Sequence, residues 1–169
     1  RLHTYLRNPT LGKLPPDEVL AFVNSFLFDV LPRGQYATFA HVRFDMKNHC
    51  FEMASAAAPP PLLDIGGKGE YRALPSAGLP LGLVSEVEYE VRNYPFPPGS
   101  TMILYSDALV DTPLAPEAVF DTEGLLAFVN RLDPGLPPEG VIARIRLALT
   151  PHVPDDDLTL VVIRHEEKA

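Results

Sequence analysis

The sequence predicts an α+β domain, a layer of antiparallel sheet covered by helices. Three observations predict it. Two consecutive pairs of strand-like segments each fold around a short turn, so the sheet is antiparallel. The apolar run Met102 to Tyr105, entered through Thr101 from the turn Pro97-Pro98-Gly99-Ser100, has the length of a buried strand. Amphipathic helical patterns lie before and after these strands, and they must cover the sheet's apolar faces.

The elements follow in order. Leu2, Tyr5 and Leu6 have helical spacing in a segment that Asn8-Pro9 closes. Pro15-Pro16-Asp17-Glu18 starts a helix well, because proline pre-sets φ and acids favour the positive end of the helix dipole. Val19, Phe22, Val23, Phe26, Leu27 and Val30 then form one apolar stripe, and Pro32 ends it. Tyr36 to Asp45 and Cys50 to Ala56 read as a hairpin around Met46-Lys47-Asn48. Leu62-Leu63 and Tyr71 to Leu74 flank Gly66-Gly67-Lys68-Gly69, a second hairpin. That glycine-rich loop lacks the spacing of a P-loop, so it reads as a plain turn. Glu86, Glu88 and Glu90 alternate with Val87, Tyr89 and Val91, which predicts a half-exposed strand with its acids in water. After the central strand, Pro116 to Phe120 and Glu123 to Leu132 have helical patterns. Pro137-Pro138-Glu139 opens another helix, with Val141, Ile142, Ile145 and Leu149 on one side. Leu158 to Ile163 is the last strand, and Arg164 to Ala169 a charged tail.

Composition narrows the function classes. Fourteen basic residues against twenty-two acids give a net charge of −8, which excludes nucleic acid or an anionic membrane as the main partner. A single cysteine, Cys50, makes no internal disulfide, so a reducing, cytoplasmic compartment is expected. No apolar run reaches the roughly 18 residues of a membrane span, and no signal peptide is visible. The chain starts without Met, in what reads as the end of a helix. It is therefore expected to be a piece of a longer protein.

The chemistry concentrates at two strand ends. Asp107 follows the buried central strand directly after Ser106. Asp155-Asp156-Asp157 precedes the last strand. If the two strands are antiparallel neighbours, both sets of acids reach one end of the sheet. Carboxylates gathered there suit a hard divalent cation, which takes oxygen ligands. On residues alone, Asp107 reads equally as a turn or cap acid, and Asp155 to Asp157 as acids capping a strand. No competing nucleophile stands out. Cys50 follows His49 in a strand, where alternation sends neighbours to opposite faces, so it reads as a buried structural thiol. His3, His41, His152 and His165 are scattered, without metal-ligand spacing, and read as surface or half-buried residues.

Several stretches together resemble the SpoIIE/RsbU-type branch of the metal-dependent protein phosphatases, the PPM family. They are Tyr36 to Val42, Met53 to Leu63, Gly78-Leu-Pro-Leu-Gly82-Leu, Pro98 to Asp107, and Asp155-Asp-Asp-Leu-Thr-Leu-Val-Val. The resemblance implies an α-β-β-α sandwich of antiparallel sheets covered by helices. It implies that Asp107 and Asp156 are ligands of Mn²⁺ or Mg²⁺ in a two-metal site, with Asp155 and Asp157 as neighbours that tune it. It further implies hydrolysis of phosphoserine or phosphothreonine on an anti-anti-sigma (STAS-domain) protein in a bacterial stress or development switch. An upstream sensor or receiver domain would lie in the same protein, and the resemblance admits a homodimer.

Three departures qualify this resemblance. The family's Gly-Asp-x-x-Gly-His-Gly motif would lie before Arg1, so residues 1–169 are expected to be a single phosphatase domain without its first strands and first metal motif. Ala108 stands where the family has glycine. Ala56-Ala57-Ala58-Pro59-Pro60-Pro61 stands for Ala-Gly-His-Asn-Pro-Pro. Little or no turnover is expected of these 169 residues as written. The alternative reading is a catalytically inactive PPM-like module that binds a partner as a regulator or adaptor.

Overall fold

The computed structural model describes residues 11–110, 113–115, 118–119, 121–149 and 157–166. The helix expected over Leu2 to Leu6 lies outside them. In chain order the elements are α1 (Pro16–Val30), β1 (Phe39–Asp45), β2 (Cys50–Ala56), β3 (Leu62–Asp64), β4 (Arg72–Ala73), β5 (Arg92–Pro95), β6 (Thr101–Tyr105), β7 (Pro113–Ala115), β8 (Ala118–Val119), α2 (Thr122–Val129), α3 (Pro138–Leu149) and β9 (Leu160–Arg164). The class is α+β, as the hairpins require. Two compact units divide the chain: Arg1–Ala58 with Ser76–Tyr94, and Pro59–Pro75 with Pro95–Ala169.

In the first unit α1 starts at a proline, carries Asp17 and Glu18 in its first turn, and stops where Leu31 turns extended. Its buried stripe is Val19, Leu20, Val23 and Leu27, packed with Ala54, Ala56, Leu81 and Tyr89. The stripe is rotated from the expected one. Leu20 and Asn24 point inward, whereas Phe22 and Val30 are 38% and 50% exposed. The rotation follows from Asn24, whose side-chain amide donates to the carbonyls of Val84 and Ser85 while its Oδ1 accepts from Gly82 N–H at 2.8 Å. A buried amide satisfied three times sets the helix azimuth as firmly as an apolar residue.

β1 and β2 pair in the expected hairpin, from Phe39 opposite Ala56 to Asp45 opposite Cys50. Asp45 closes its turn by accepting from the N–H groups of Lys47 and Asn48 at 3.1 and 3.0 Å. The opposed Arg43 and Glu52 form an ion pair, and Arg43 also donates to the carbonyl of Leu14 at 3.1 Å. Cys50 is half-buried rather than buried, because it stands at the solvent end of the hairpin. Glu86 to Val91 is not a ladder strand; the strand begins at Arg92. The alternation is nonetheless real, since Tyr89 is buried between exposed Glu88 and Glu90. Periodicity reports which side faces the core, and here no neighbouring strand supplies hydrogen bonds.

The second unit is built on a four-stranded antiparallel sheet in the order β4-β3-β6-β9. β6 is flanked on both sides, which explains its unbroken apolar sequence. Leu62, Ile103 and Tyr105 from the sheet meet Leu125 and Val129 of α2 and Val141, Ile145 and Leu149 of α3. Both helices were expected near these positions. The helical pattern over Pro116 to Phe120 gives way instead to β8, which pairs with β7. Five residues make little more than one helical turn, too short to hold a helix without packing, so the pairing of Ala118–Val119 with β7 wins. The tail also departs from expectation: Arg164 is the last residue of β9 and His165 is buried, its Nδ1 2.7 Å from the carbonyl of Phe96 and its ring stacked on Phe96.

Candidate metal centre

β6 ends at Tyr105 and Asp107 opens a single 3-10 turn, Asp107–Leu109. Ala108 and Leu109 are buried beneath this turn, so the exposed Asp107 carboxylate is held on a fixed base. Its Oδ1 accepts from the N–H of Ala108 at 3.0 Å. β9 runs antiparallel beside β6, with Thr101 opposite Arg164 and Tyr105 opposite Leu160. The end of β6 that Asp107 follows and the start of β9 that Asp157 precedes therefore lie at one end of the sheet, and the two strands are the antiparallel neighbours expected.

Ser106 joins the two strand ends. Its N–H donates to the carbonyl of Thr159 at 3.0 Å. Its hydroxyl donates to the carbonyl of Asp157 at 3.1 Å and accepts from the N–H of Thr159 at 2.9 Å. Three hydrogen bonds from one residue thus position the backbone immediately after Asp156. Asp156 itself, with Asp155, lies outside the described residues; Asp157 is exposed beside Ser106. Among the described residues no group of three or more His, Cys, Asp or Glu side chains is placed to hold a metal ion. The donor chemistry fits a hard cation at Asp107, an exposed carboxylate on a rigid turn, and one carboxylate is an anchor rather than a coordination shell.

Other expected features sit elsewhere. Cys50 is on the β1–β2 hairpin of the first unit, and His41 on β1 opposite Ala54. The glycine-rich loop is occupied by its own chain. Asp64, an acid the sequence reading passed over, is buried at the end of β3 and accepts from the N–H groups of Lys68 and Gly69 at 3.1 and 2.8 Å. Gly66 N–H donates to Ser100 Oγ at 2.9 Å. A phosphate cradle needs free amides, and these are consumed. The signal for Asp64 was an acid two residues before two glycines, the composition of a turn clamped by its own carboxylate.

The motif Gly78 to Gly82 proves to be a packing device. A Cβ on Gly78 would lie 2.3 Å from the carbonyl oxygen of Ser55, and one on Gly82 would lie 2.9 Å from Leu31 Cδ1. Ala57, which replaces the glycine expected by resemblance, keeps a left-handed backbone at φ +56°. The bend around it is tied by Ser76, whose hydroxyl is 2.6 Å from that of Ser55 and donates to the carbonyl of Ala58.

Antiparallel sheets and, among the described residues, three helices match the fold of PP2C-like (PPM) phosphatase domains. The chain belongs to the SpoIIE family: Stage II sporulation protein E (SpoIIE) matches residues 1–166. Solved structures share its fold. The RsbU and RsbW domains of a Mycobacterium tuberculosis protein superpose with a TM-score of 0.70 at 24% identity, over 89% of this chain and 42% of that one. The SiaA PP2C domain of Pseudomonas aeruginosa gives 0.73 at 19% identity, over 89% and 61%. The phosphatase domain of the cell fate determinant SpoIIE from Bacillus subtilis, presoaked with Mn, gives 0.64 at 19% identity, over 99% and 71%. The chain thus spans less than half the length of the Mycobacterium tuberculosis protein it matches. A search of curated proteins finds no match.

Proposed function

We propose that the domain is a Mn²⁺- or Mg²⁺-dependent protein serine/threonine phosphatase, with Asp107 and Asp156 as metal ligands. The observation that carries this reading is the junction of β6 and β9 at Ser106, which sets the strand end that Asp107 follows beside the strand start that Asp157 precedes. When bound, a metal pair supplies a water of lowered pKa and neutralises phosphoryl charge. The chain's own part is to hold carboxylates where that charge is needed. Asp107 would do so from a turn whose next two residues are buried; Asp156 directly precedes in sequence Asp157, which Ser106 holds together with Thr159. We further propose, from membership of the SpoIIE family, a place in sigma-factor signalling with a phosphorylated anti-anti-sigma protein of the STAS type as substrate and a sensor or receiver domain in the same protein.

A second copy of the chain is the further partner we propose. Phe28 lies one turn beyond Asn24, whose amide holds the carbonyls of Val84 and Ser85. Phe28, Leu83 and Val84 are 44%, 45% and 41% exposed, large apolar residues that a homodimer would cover.

The test is hydrolysis of an aryl phosphate and of a phosphoserine STAS protein, with and without Mn²⁺. Turnover that needs Mn²⁺ and disappears in Asp107→Asn and in Asp156→Asn is expected of the whole protein that carries this domain. Metal-free Asp107→Asn should melt within about 0.5 kcal/mol of the parent, as exposed substitutions do, while calorimetry shows weaker Mn²⁺ binding. A strong loss of metal-free stability would make Asp107 a structural acid. Absence of turnover together with STAS binding would assign the domain to the inactive, partner-binding class instead. The replaced Ala-Gly-His-Asn-Pro-Pro segment and Ala108 are the features that would then explain it.

A further inference from the structure

A cavity of about 450 Å³ opens between the end of α2, the loop after it and α3, and Asp107 is not among its lining residues. Its walls include Phe128, Leu132, Leu136 and Leu147, and two arginines, Arg131 and Arg144, stand on it. Its size lies within the range of about 300–1,000 Å³ typical of small-molecule sites. Leu147 is 65% exposed, so the cavity has an apolar mouth as well as an apolar wall.

The charges on the lining are not balanced within it. Asp133 is the one acid among the lining residues, and its Oδ1 is engaged by the N–H of Gly135 at 2.9 Å. Neither Arg131 nor Arg144 forms a side-chain hydrogen bond or ion pair among the described residues. The stretch from Phe128 to Ala148 carries three arginines against two acids in a chain of net charge −8. A locally cationic, apolar-walled cavity in an acidic protein selects against cations and against hydrophilic anions. Its complement has an apolar body for the leucines and phenylalanine and an anionic head that takes charge-assisted hydrogen bonds from guanidinium.

We infer that the α2–α3 cavity, through Phe128, Leu132, Leu147, Arg131 and Arg144, is a binding site for a free amphipathic organic anion, of the class of a medium-chain or aryl carboxylate.

The probe is anilinonaphthalene sulfonate, followed by fluorescence on the natively folded protein, with decanoate as competitor. Saturable one-to-one binding that decanoate displaces is expected. Arg131→Gln/Arg144→Gln should weaken it by about tenfold or more, the loss of two charge-assisted contacts, at an unchanged melting temperature. Arg146→Gln, on the same helix but off the cavity, should leave it unaltered and so controls for general charge. In the unsubstituted protein, decanoate should also shift the methyl resonances of Leu132 and Leu147. Absence of saturable binding, equal binding by all variants, or failure of decanoate to displace the probe and move those methyl groups overturns the assignment. A face reserved for a protein segment or a second copy would give that last result.

Discussion

Ala57 departs from the family's glycine yet keeps the backbone that glycine would adopt, at φ +56°. The left-handed region costs an alanine about 1–2 kcal/mol, partly offset by the greater freedom glycine has when unfolded. Ala57→Gly should therefore raise stability by about 0.5 kcal/mol, read as a shift in urea midpoint without a change in slope. His41 offers a pH handle. Burial, followed by the nearby charge of Arg43, lowers its pKa from 6.5. Below pH 6.5 the unfolded chain takes up a proton that the folded chain resists, so stability declines from there down to the folded pKa and is unaffected above. In His41→Gln, the urea midpoint should vary less between about pH 7 and about pH 5 than in the parent. An unchanged slope would show that other groups govern this range. Asp156 lies outside the described residues, and the place of Asp107 at the end of a buried strand was legible from the apolar run before it. Asp64 was not, since a turn acid and a buried acid look alike until the fold covers one of them.

Among the elements, the Gly78 to Gly82 stretch separates recognition from chemistry. It was one of the most specific parts of the family resemblance, and its glycines are there for close approach. Gly78→Ala combines φ +120° with a contact of 2.3 Å to the Ser55 carbonyl. It should cost about 3 kcal/mol. Gly34→Ala, at φ +84° with open space around it, should cost about 1 kcal/mol, the backbone preference alone. Equal costs at the two positions would remove the steric argument. Hairpins and helices of this chain were readable because their patterns are local: turn residues for β1–β2 and β3–β4, a proline start for α1 and α3. The two-residue β8 was misread as part of a helix over Pro116 to Phe120, since so short a strand carries too little periodicity to outweigh helix-forming side chains. The azimuth of α1 was missed because Asn24 counts as polar in any apolar pattern, and only its three partners, distant in sequence, make it an inward residue.

The whole molecule is acidic, with a sequence pI near 5.0, and among the described residues no helix is long and apolar enough to cross a membrane. Its exposed apolar residues are accordingly more informative than its charges. If Phe28, Leu83 and Val84 lie in a homodimer interface, light scattering should give twice the chain mass at micromolar concentration. Phe28→Glu and Val84→Glu should each return it to the monomer, because a buried unpaired charge is expensive. A monomeric parent protein at tens of micromolar would rule this interface out. Neither that surface nor the α2–α3 cavity was readable beforehand, because each joins residues from separate segments.

Ser106 has a consequence for how the chain tolerates change. Its three hydrogen bonds grip Asp157 and Thr159 from the side of β6, not through the sequence that leads up to them. The pairing of Asp157 and Thr159 with Ser106 therefore does not depend on the length of the chain that precedes Asp157. An insertion upstream of Asp155 should thus leave the register of β9 beside β6 as it is, because that register is set across the sheet and not along the chain.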